Sequence, residues 1–131
     1  MAGILKVDDL RGNTSAGNIT ITGEGTATMR LSQGVAKHWA KVKQTDASIQ
    51  DSFNMASITD VETGRFRHTF TNNMNNSTYS IAGSCSFSAD NYAQHQFRAE
   101  NTTHYDAYNS PDQSANILDG ITGNTIHGDL A

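Results

Sequence analysis

Imidazoles, phenols and carboxylates crowd the second half of this chain, and these are the groups whose types and spacing could do chemistry. Tyr92, His95, His104, Tyr105 and Tyr108 fall within one short stretch. Rings that carry a polar tip suit contact with a receptor or another subunit, because they offer much contact area with few rotatable bonds. His104-x-Asp106 and His127-x-Asp129 place two possible metal ligands on one face of a strand. A threefold axis could gather three such imidazoles around an ion. Two-residue spacing is common by chance, however, and no metal or other cofactor is expected. Asp51, Asp60, Glu62 and Glu100 lie in or beside turns and strands, with no sign of the cleft that a paired-carboxylate glycosidase needs. The sequence holds no Gly-x-Ser-x-Gly elbow, no His-Glu-x-x-His and no phosphate-binding loop. The expectation is a protein that is not an enzyme.

Two further features are chemically distinctive. Asn72 to Ser77 is an asparagine cluster. Its amides could donate to and accept from a polar ligand such as a glycan. Asparagine also tolerates left-handed backbone, so a plain turn explains the cluster equally well. The one cysteine, Cys85, cannot form an internal disulfide and reads as a small packed thiol. Asn-x-Ser/Thr sequons, among them those at Asn13, Asn18, Asn76 and Asn101, matter only on a eukaryotic secretory route. The opening MAGILKVDDL lacks the cationic start and long apolar core of a secretory signal.

The elements that must position these groups are short. With 131 residues the natural count is one domain, large enough for a core without staples. Hydrophobic residues make up 36% and charged residues only 17%, against a usual charged share of about 25%. Disorder requires low hydrophobicity together with high charge, so a β-rich fold accounts for this composition better. The net charge of −4 and the absence of a basic face exclude nucleic-acid binding by counterion release. No apolar run reaches the roughly 20 residues of a membrane span, so membrane insertion is not expected.

Residues 1–30 read as an extended N-terminal arm and residues 31–131 as a head domain. Ile4 to Val7 is a short apolar strand, and Asn18 to Thr22 alternates with period two. Gly23-Glu24-Gly25 breaks that run, and Thr26 to Met29 extends again. Two short strands cannot form a stable unit alone, so the arm must dock on its own domain or on another chain. Ile4, Leu5, Val7, Ile19 and Ile21 are its candidate anchors. Unpaired strands of this kind can add to a neighbour's sheet edge through main-chain hydrogen bonds. Leu31 to Val42 is the only credible helix. The preferred reading is one helical turn and then a strand from His38 to Lys43, ended by a Gln-Thr-Asp turn. Trp39 is a core or interface anchor.

From Gln50 onward the pattern is β. Phe53, Met55 and Ile58 lie on a run with one break in alternation, which predicts a bulge or kink. Gly64 suits the left-handed position of a hairpin. The next strand places Phe66, His68 and Phe70 on one face and Arg67 and Thr69 on the other. Tyr79, Ile81 and Gly83 mark an inner face, with Phe87 in the same parity. Gln94 to Thr102 is a further strand carrying Phe97 and Ala99. Thr103 to Tyr108 is another, with Tyr105 and either Ala107 or Tyr108 inward. Ser110 to Ser114 is a loop, and Asn124 to Leu130 is a closing strand. Short strands spaced by turns predict an all-β fold, a small antiparallel β-sandwich of jelly-roll-like type with at most one short helix.

Three groups of residues resemble the tail-fibre and virion structural proteins of marine tailed phages of the podovirus type. The first is Gly3 to Asp8 with Thr14 to Ile19 and Thr22 to Gly25. The second is Gly34-Val35-Ala36-Lys37-His38-Trp39, similar to a Gly-Leu-Ala-Lys-Ala-Trp motif. The third is Asp51 to Asp60 followed by Phe70 to Met74 and Tyr79-Ser80. The ending Gly128 to Ala131 is also similar. Arg65 to His68 departs from the pattern by being more basic, and Gln94 to Tyr108 departs as well. The resemblance implies a homotrimer on the surface of a virion, on the tail rather than the head, in contact with other virion proteins. It makes Tyr92, His95, His104, Tyr105 and Tyr108 a contact surface for a host glycan or receptor. The alternative is a capsid decoration or head-fibre protein.

Overall fold

Strict alternation of inward and outward side chains builds the three strands 38–43, 65–70 and 121–127 of this protein. The computed structural model describes residues 6–13, 19–22, 28–86, 93–111 and 119–131. The chain divides into two compact units, residues 1–35 and residues 36–131.

In the first unit, β1 (Thr20–Thr22) and β2 (Thr28–Arg30) form a two-stranded antiparallel sheet with Ile21 opposite Met29. A single helical turn, α1 (Leu31–Gly34), follows, and the Leu31 amide donates to the Ile19 carbonyl at 2.7 Å. All six strand residues are exposed. Lys6 and Val7, expected at the end of a strand, carry none. Ile4, Leu5 and the Gly23–Gly25 break lie outside the described residues.

The second unit holds two four-stranded antiparallel sheets packed as a sandwich. One sheet has the order β4-β3-β10-β7, made from β3 (His38–Lys43), β4 (Ser48–Phe53), β7 (Ser80–Ser86) and β10 (Ile121–His127). The other has the order β5-β6-β9-β8, made from β5 (Met55–Glu62), β6 (Arg65–Phe70), β8 (Ala93–Ala99) and β9 (His104–Pro111). The all-β sandwich is therefore as expected, as is the helical turn followed by the strand from His38. The Gln-Thr-Asp turn is a short 3-10 turn, Gln44–Asp46, closed by Ala47 in the left-handed region at φ 49°.

The break near Phe53 is where the chain changes sheets. Asn54 sits at φ 59°, a conformation that asparagine tolerates better than most residues. Its side chain then pins the corner: Oδ1 accepts the Asn72 amide at 2.6 Å, and Nδ2 donates to the Lys37 and Asn72 carbonyls at 3.0 and 3.1 Å. Gly64, at φ 73°, makes the β5–β6 hairpin as predicted. Ser110 and Pro111, read as loop, instead extend β9, opposite Gln94 and Ala93 of β8. Proline is tolerated there because it ends the strand. Phe87 lies outside the described residues.

Between the sheets, Phe70, Met74, Tyr79, Tyr105 and Ile126 form a buried cluster, with Ile81, Phe97 and Ala99 packed against it. Fully burying a side chain of this size stabilises by roughly 1.5–3 kcal/mol, so this cluster is the main cohesive element. Gly83 of β7 borders this layer, and a Cβ there would run into the Gly123 carbonyl oxygen and meet the tip of Phe97 at 2.6 Å.

Candidate functional site

The candidate functional groups rest on β6 and β9, which pair antiparallel with His68 opposite Tyr105 and Arg67 opposite Asp106. Period-two alternation sends neighbouring residues to opposite faces. Phe66, His68, Tyr105, Ala107 and Asn109 therefore face the core, while Arg65, Arg67, His104, Asp106 and Tyr108 face outward.

On the inner side, Tyr105 is the centre of a buried polar cluster. Its hydroxyl oxygen lies 3.0 Å from His38 Nε2, 2.8 Å from His68 Nδ1 and 2.7 Å from Asn124 Oδ1. The other nitrogen of His38, Nδ1, faces the Asn54 carbonyl at 3.2 Å. His38, His68 and Tyr105 are fully buried. Phe70 packs edge-on against His38, with 5.4 Å between ring centroids. Burial holds His38 below its ordinary value, against the opposing effect of the Asn54 carbonyl and the Asn124 amide. Burial also pushes the Tyr105 phenol well up, so it stays neutral.

The outer side is charged. Asp106 is fully buried, yet both arginines reach it: Arg65 donates from Nε and Nη2 at 3.0 and 2.7 Å, and Arg67 from Nε and Nη2 at 2.9 and 3.1 Å. Burial alone would raise the Asp106 carboxyl. The hydrogen bonds from Arg67 and Arg65 outweigh it and hold the group below its ordinary value. The Arg65 guanidinium also lies over the Tyr108 ring, 5.1 Å from its centroid, a favourable cation–π placement. His104 belongs to a turn in which Asn101 Oδ1 accepts the Thr103 and His104 amides at 2.7 and 3.1 Å.

The expected contact surface is thus divided. Tyr105 does not belong to it: it is fully buried, because strand parity places it inward with Ala107. His104 and Tyr108 are half-buried on the outer face. His95 lies on β8, but its side chain is outside the described residues, as is all of Tyr92. Asp106 is taken up by its two arginines, so the His104-x-Asp106 pair does not present two available ligands. Among the described residues no group of three or more His, Cys, Asp and Glu could hold a metal ion.

The asparagine cluster closes one end of the sandwich. Met74 is buried there and bridges Leu130, while the Asn75 amide donates to the Asp129 carbonyl at 2.7 Å. Asn76 Oδ1 accepts the Thr78 amide at 2.9 Å. Cys85 is half-buried, and burial pushes its thiol up to about 11, so little reactive thiolate forms near neutrality.

Among the proposed anchors of the first unit, Val7 and Ile21 are exposed and Ile19 is half-buried. Trp39 lies on the outer face of the β3 sheet, opposite Phe53 of β4 in register. Trp39 is 38% exposed and Phe53 50% exposed, which makes this pair a surface feature and not part of the core. Beside them on β10 and β7 stand the small residues Thr125 and Ala82.

Two features escaped sequence reasoning. His38 was not singled out, although it shares parity with Ala40 and Val42 on a strand that had been recognised. The Arg65–Asp106–Arg67 clamp needed the register between strands separated by 39 residues or more. Comparison with protein-family models, with curated proteins and with solved structures finds no match to this chain. Fold and site together define an all-β sandwich with a neutral polar centre and a charged outer face.

Proposed function

We propose that this chain is a non-enzymatic structural protein of a phage particle: a trimeric tail fibre or tail-associated adhesin, attached through its N-terminal segment. The observation that carries this reading is the uncovered apolar surface of the first unit. Val7, Leu10, Ile21, Met29 and Val35 are all exposed, on a unit whose described residues form one sheet of two strands of three residues each. A hairpin of that size is marginal in water, and exposed apolar side chains of this density favour a protein partner. The resemblance of residues 3–8, 14–19, 22–25 and 34–39 to virion proteins supports the particle as that partner. The exposed Trp39–Phe53 pair supplies aromatic anchors of the kind that subunit contacts favour. Two of the potential acid–base groups are engaged, Asp106 with two arginines and His38 with Tyr105, which supports a structural role over turnover.

Light scattering on the purified chain should give three times its 14.1 kDa mass. Deleting residues 1–30 should leave a folded head that no longer joins the particle. A labelled antibody should decorate the tails of intact virions. A strict monomer, or a truncated chain that still incorporates, would overturn this reading. Label confined to the head would move the protein to the capsid-decoration class.

A further inference from the structure

The centre of the sandwich sets three hydrogen-bonding partners around one hydroxyl, which can meet them with one donated and two accepted bonds. Tyr105 has a single hydrogen to donate and can accept two. Three groups lie within bonding distance of its oxygen: His38 Nε2, His68 Nδ1 and the Asn124 amide. His38 Nδ1 faces the Asn54 carbonyl, which only accepts, so Nδ1 carries a hydrogen. With His68 keeping its hydrogen on Nδ1, two arrangements then satisfy every pair. If His38 is neutral, its bare Nε2 accepts the Tyr105 hydrogen. Asn124 must then offer its NH2 to the hydroxyl oxygen, and His68 donates its Nδ1 hydrogen. If His38 is a cation, both imidazoles donate to Tyr105. The hydroxyl hydrogen must then go to Asn124 Oδ1, the amide orientation in which Asn124 Nδ2 is buried without a hydrogen-bond partner. Oxygen and nitrogen of an amide occupy interchangeable positions, so the two arrangements share one set of heavy-atom places.

We propose that this cluster is a single-proton switch: His38 rests as the neutral Nδ1–H tautomer, and on acidification it binds a proton at Nε2 while the Asn124 amide turns over to receive the Tyr105 hydrogen. Among the described residues, the groups facing His38 are Phe70 from β6, Tyr105 from β9, Asn124 from β10 and the Asn54 carbonyl from the β4–β5 corner, with His68 of β6 on the far side of the Tyr105 hydroxyl. The charged residues of β6 and β9, Arg65, Arg67 and Asp106, bind one another on the opposite face. Asp106 and Glu100 act on Tyr79, whereas His38 is governed by burial, opposed by Asn54 and Asn124. A cation formed here therefore meets no compensating carboxylate among the described residues in contact with it. Its cost falls on the seam where β3 and β10 of one sheet meet β6 and β9 of the other, so acid loosens the two sheets from within.

The sign follows from linkage. His38 in the folded chain lies below its ordinary value of 6.5, so the unfolded chain binds the proton first as pH falls. This contribution is complete above that value and declines as pH drops towards the folded value. Long-range proton–nitrogen NMR on the full chain should find His38 bare at Nε2 near neutrality. Its titration midpoint should lie below 6.5, and the Asn124 amide signals should move with the same midpoint. An Nε2–H tautomer, a cation at neutrality or an Asn124 signal that ignores the titration would overturn the switch. Denaturant unfolding from about pH 8 to about pH 5 avoids most carboxylate titration and checks the consequence. Relative to His38→Gln, the wild-type folding constant should fall by an extra factor of up to about ten per pH unit in the acidic part of that range. Equal slopes would also overturn it, and if the variant does not fold the NMR titration alone decides.

Discussion

Two polar clusters share the strands β6 and β9, one on each face, and they solve opposite problems. Inside, His68 and Tyr105 belong to a group that is satisfied while neutral. Outside, Arg65, Arg67 and Asp106 are satisfied only while charged. The strands, their register and their twist are common to both, so the difference lies in the solvent. An imidazole sealed between two sheets loses hydration, which favours its neutral form. A carboxylate under two partly exposed guanidiniums gains charged donors that outweigh its own desolvation. Adjacent residues on one strand, Tyr105 and Asp106, therefore have opposite electrostatic roles.

The comparison can be broken most severely at Tyr105. Replacing it with alanine removes an aromatic side chain from the core and strands three polar groups. The expected loss is about 3–5 kcal/mol by denaturant unfolding. Tyr105→Phe keeps the ring and deletes only the hydroxyl, for an expected loss of about 1–3 kcal/mol. A loss as large as that of alanine would mean that the hydrogen bonds, not the ring, hold the centre.

On the outer face, Asp106→Asn should cost about 2 kcal/mol near neutrality, because two guanidiniums lose a charged acceptor. Asp106 is held below its ordinary value of 3.8 in the folded chain. Its contribution is thus complete above that value and vanishes as pH falls through the folded one. Wild type and variant should differ fully at about pH 6, and the difference should shrink as pH falls below 3.8 towards the folded value. Acid unfolding then has two separable limbs, an upper one abolished by His38→Gln and a lower one abolished by Asp106→Asn. A variant that removes both limbs at once would show that the faces are coupled.

The smallest effect on stability is expected at Trp39 and Phe53. Their double replacement by serine should change unfolding by less than about 1 kcal/mol, since both sit on an outer face. If this face joins subunits, light scattering should show the assembly dissociating while the sandwich stays folded. An unchanged mass would remove Trp39 from the subunit contact.

Much of the sandwich was legible in the chain. The strand from His38, the break near Phe53, the hairpin at Gly64 and the Phe66–His68–Phe70 face are all local patterns, set by period-two alternation and by residues that accept left-handed backbone. The site was far less legible. Tyr105 was grouped with Tyr108 as a contact surface, yet the two lie on opposite faces for parity reasons that only β9 in its sheet makes plain. The asparagine cluster admitted either a ligand or a turn. Its backbone partners, Thr102 and Asp129, come from distant segments, so no local pattern could reveal that it closes the end of the fold.

By itself, then, the order of residues determined most of the strands of the sandwich, the turns at Asn54 and Gly64, and the shared face of Phe66, His68 and Phe70. Those properties depend on φ/ψ preference and on a period that is the same in any sheet. Only the tertiary structure decided which face became interior and which distant groups met there. Pairing His38 with Tyr105 and Asp106 with two arginines requires strands separated by long stretches of chain to lie in register. Register is a property of whole sheets packed together, and the same packing removes water from one cluster and leaves it beside the other.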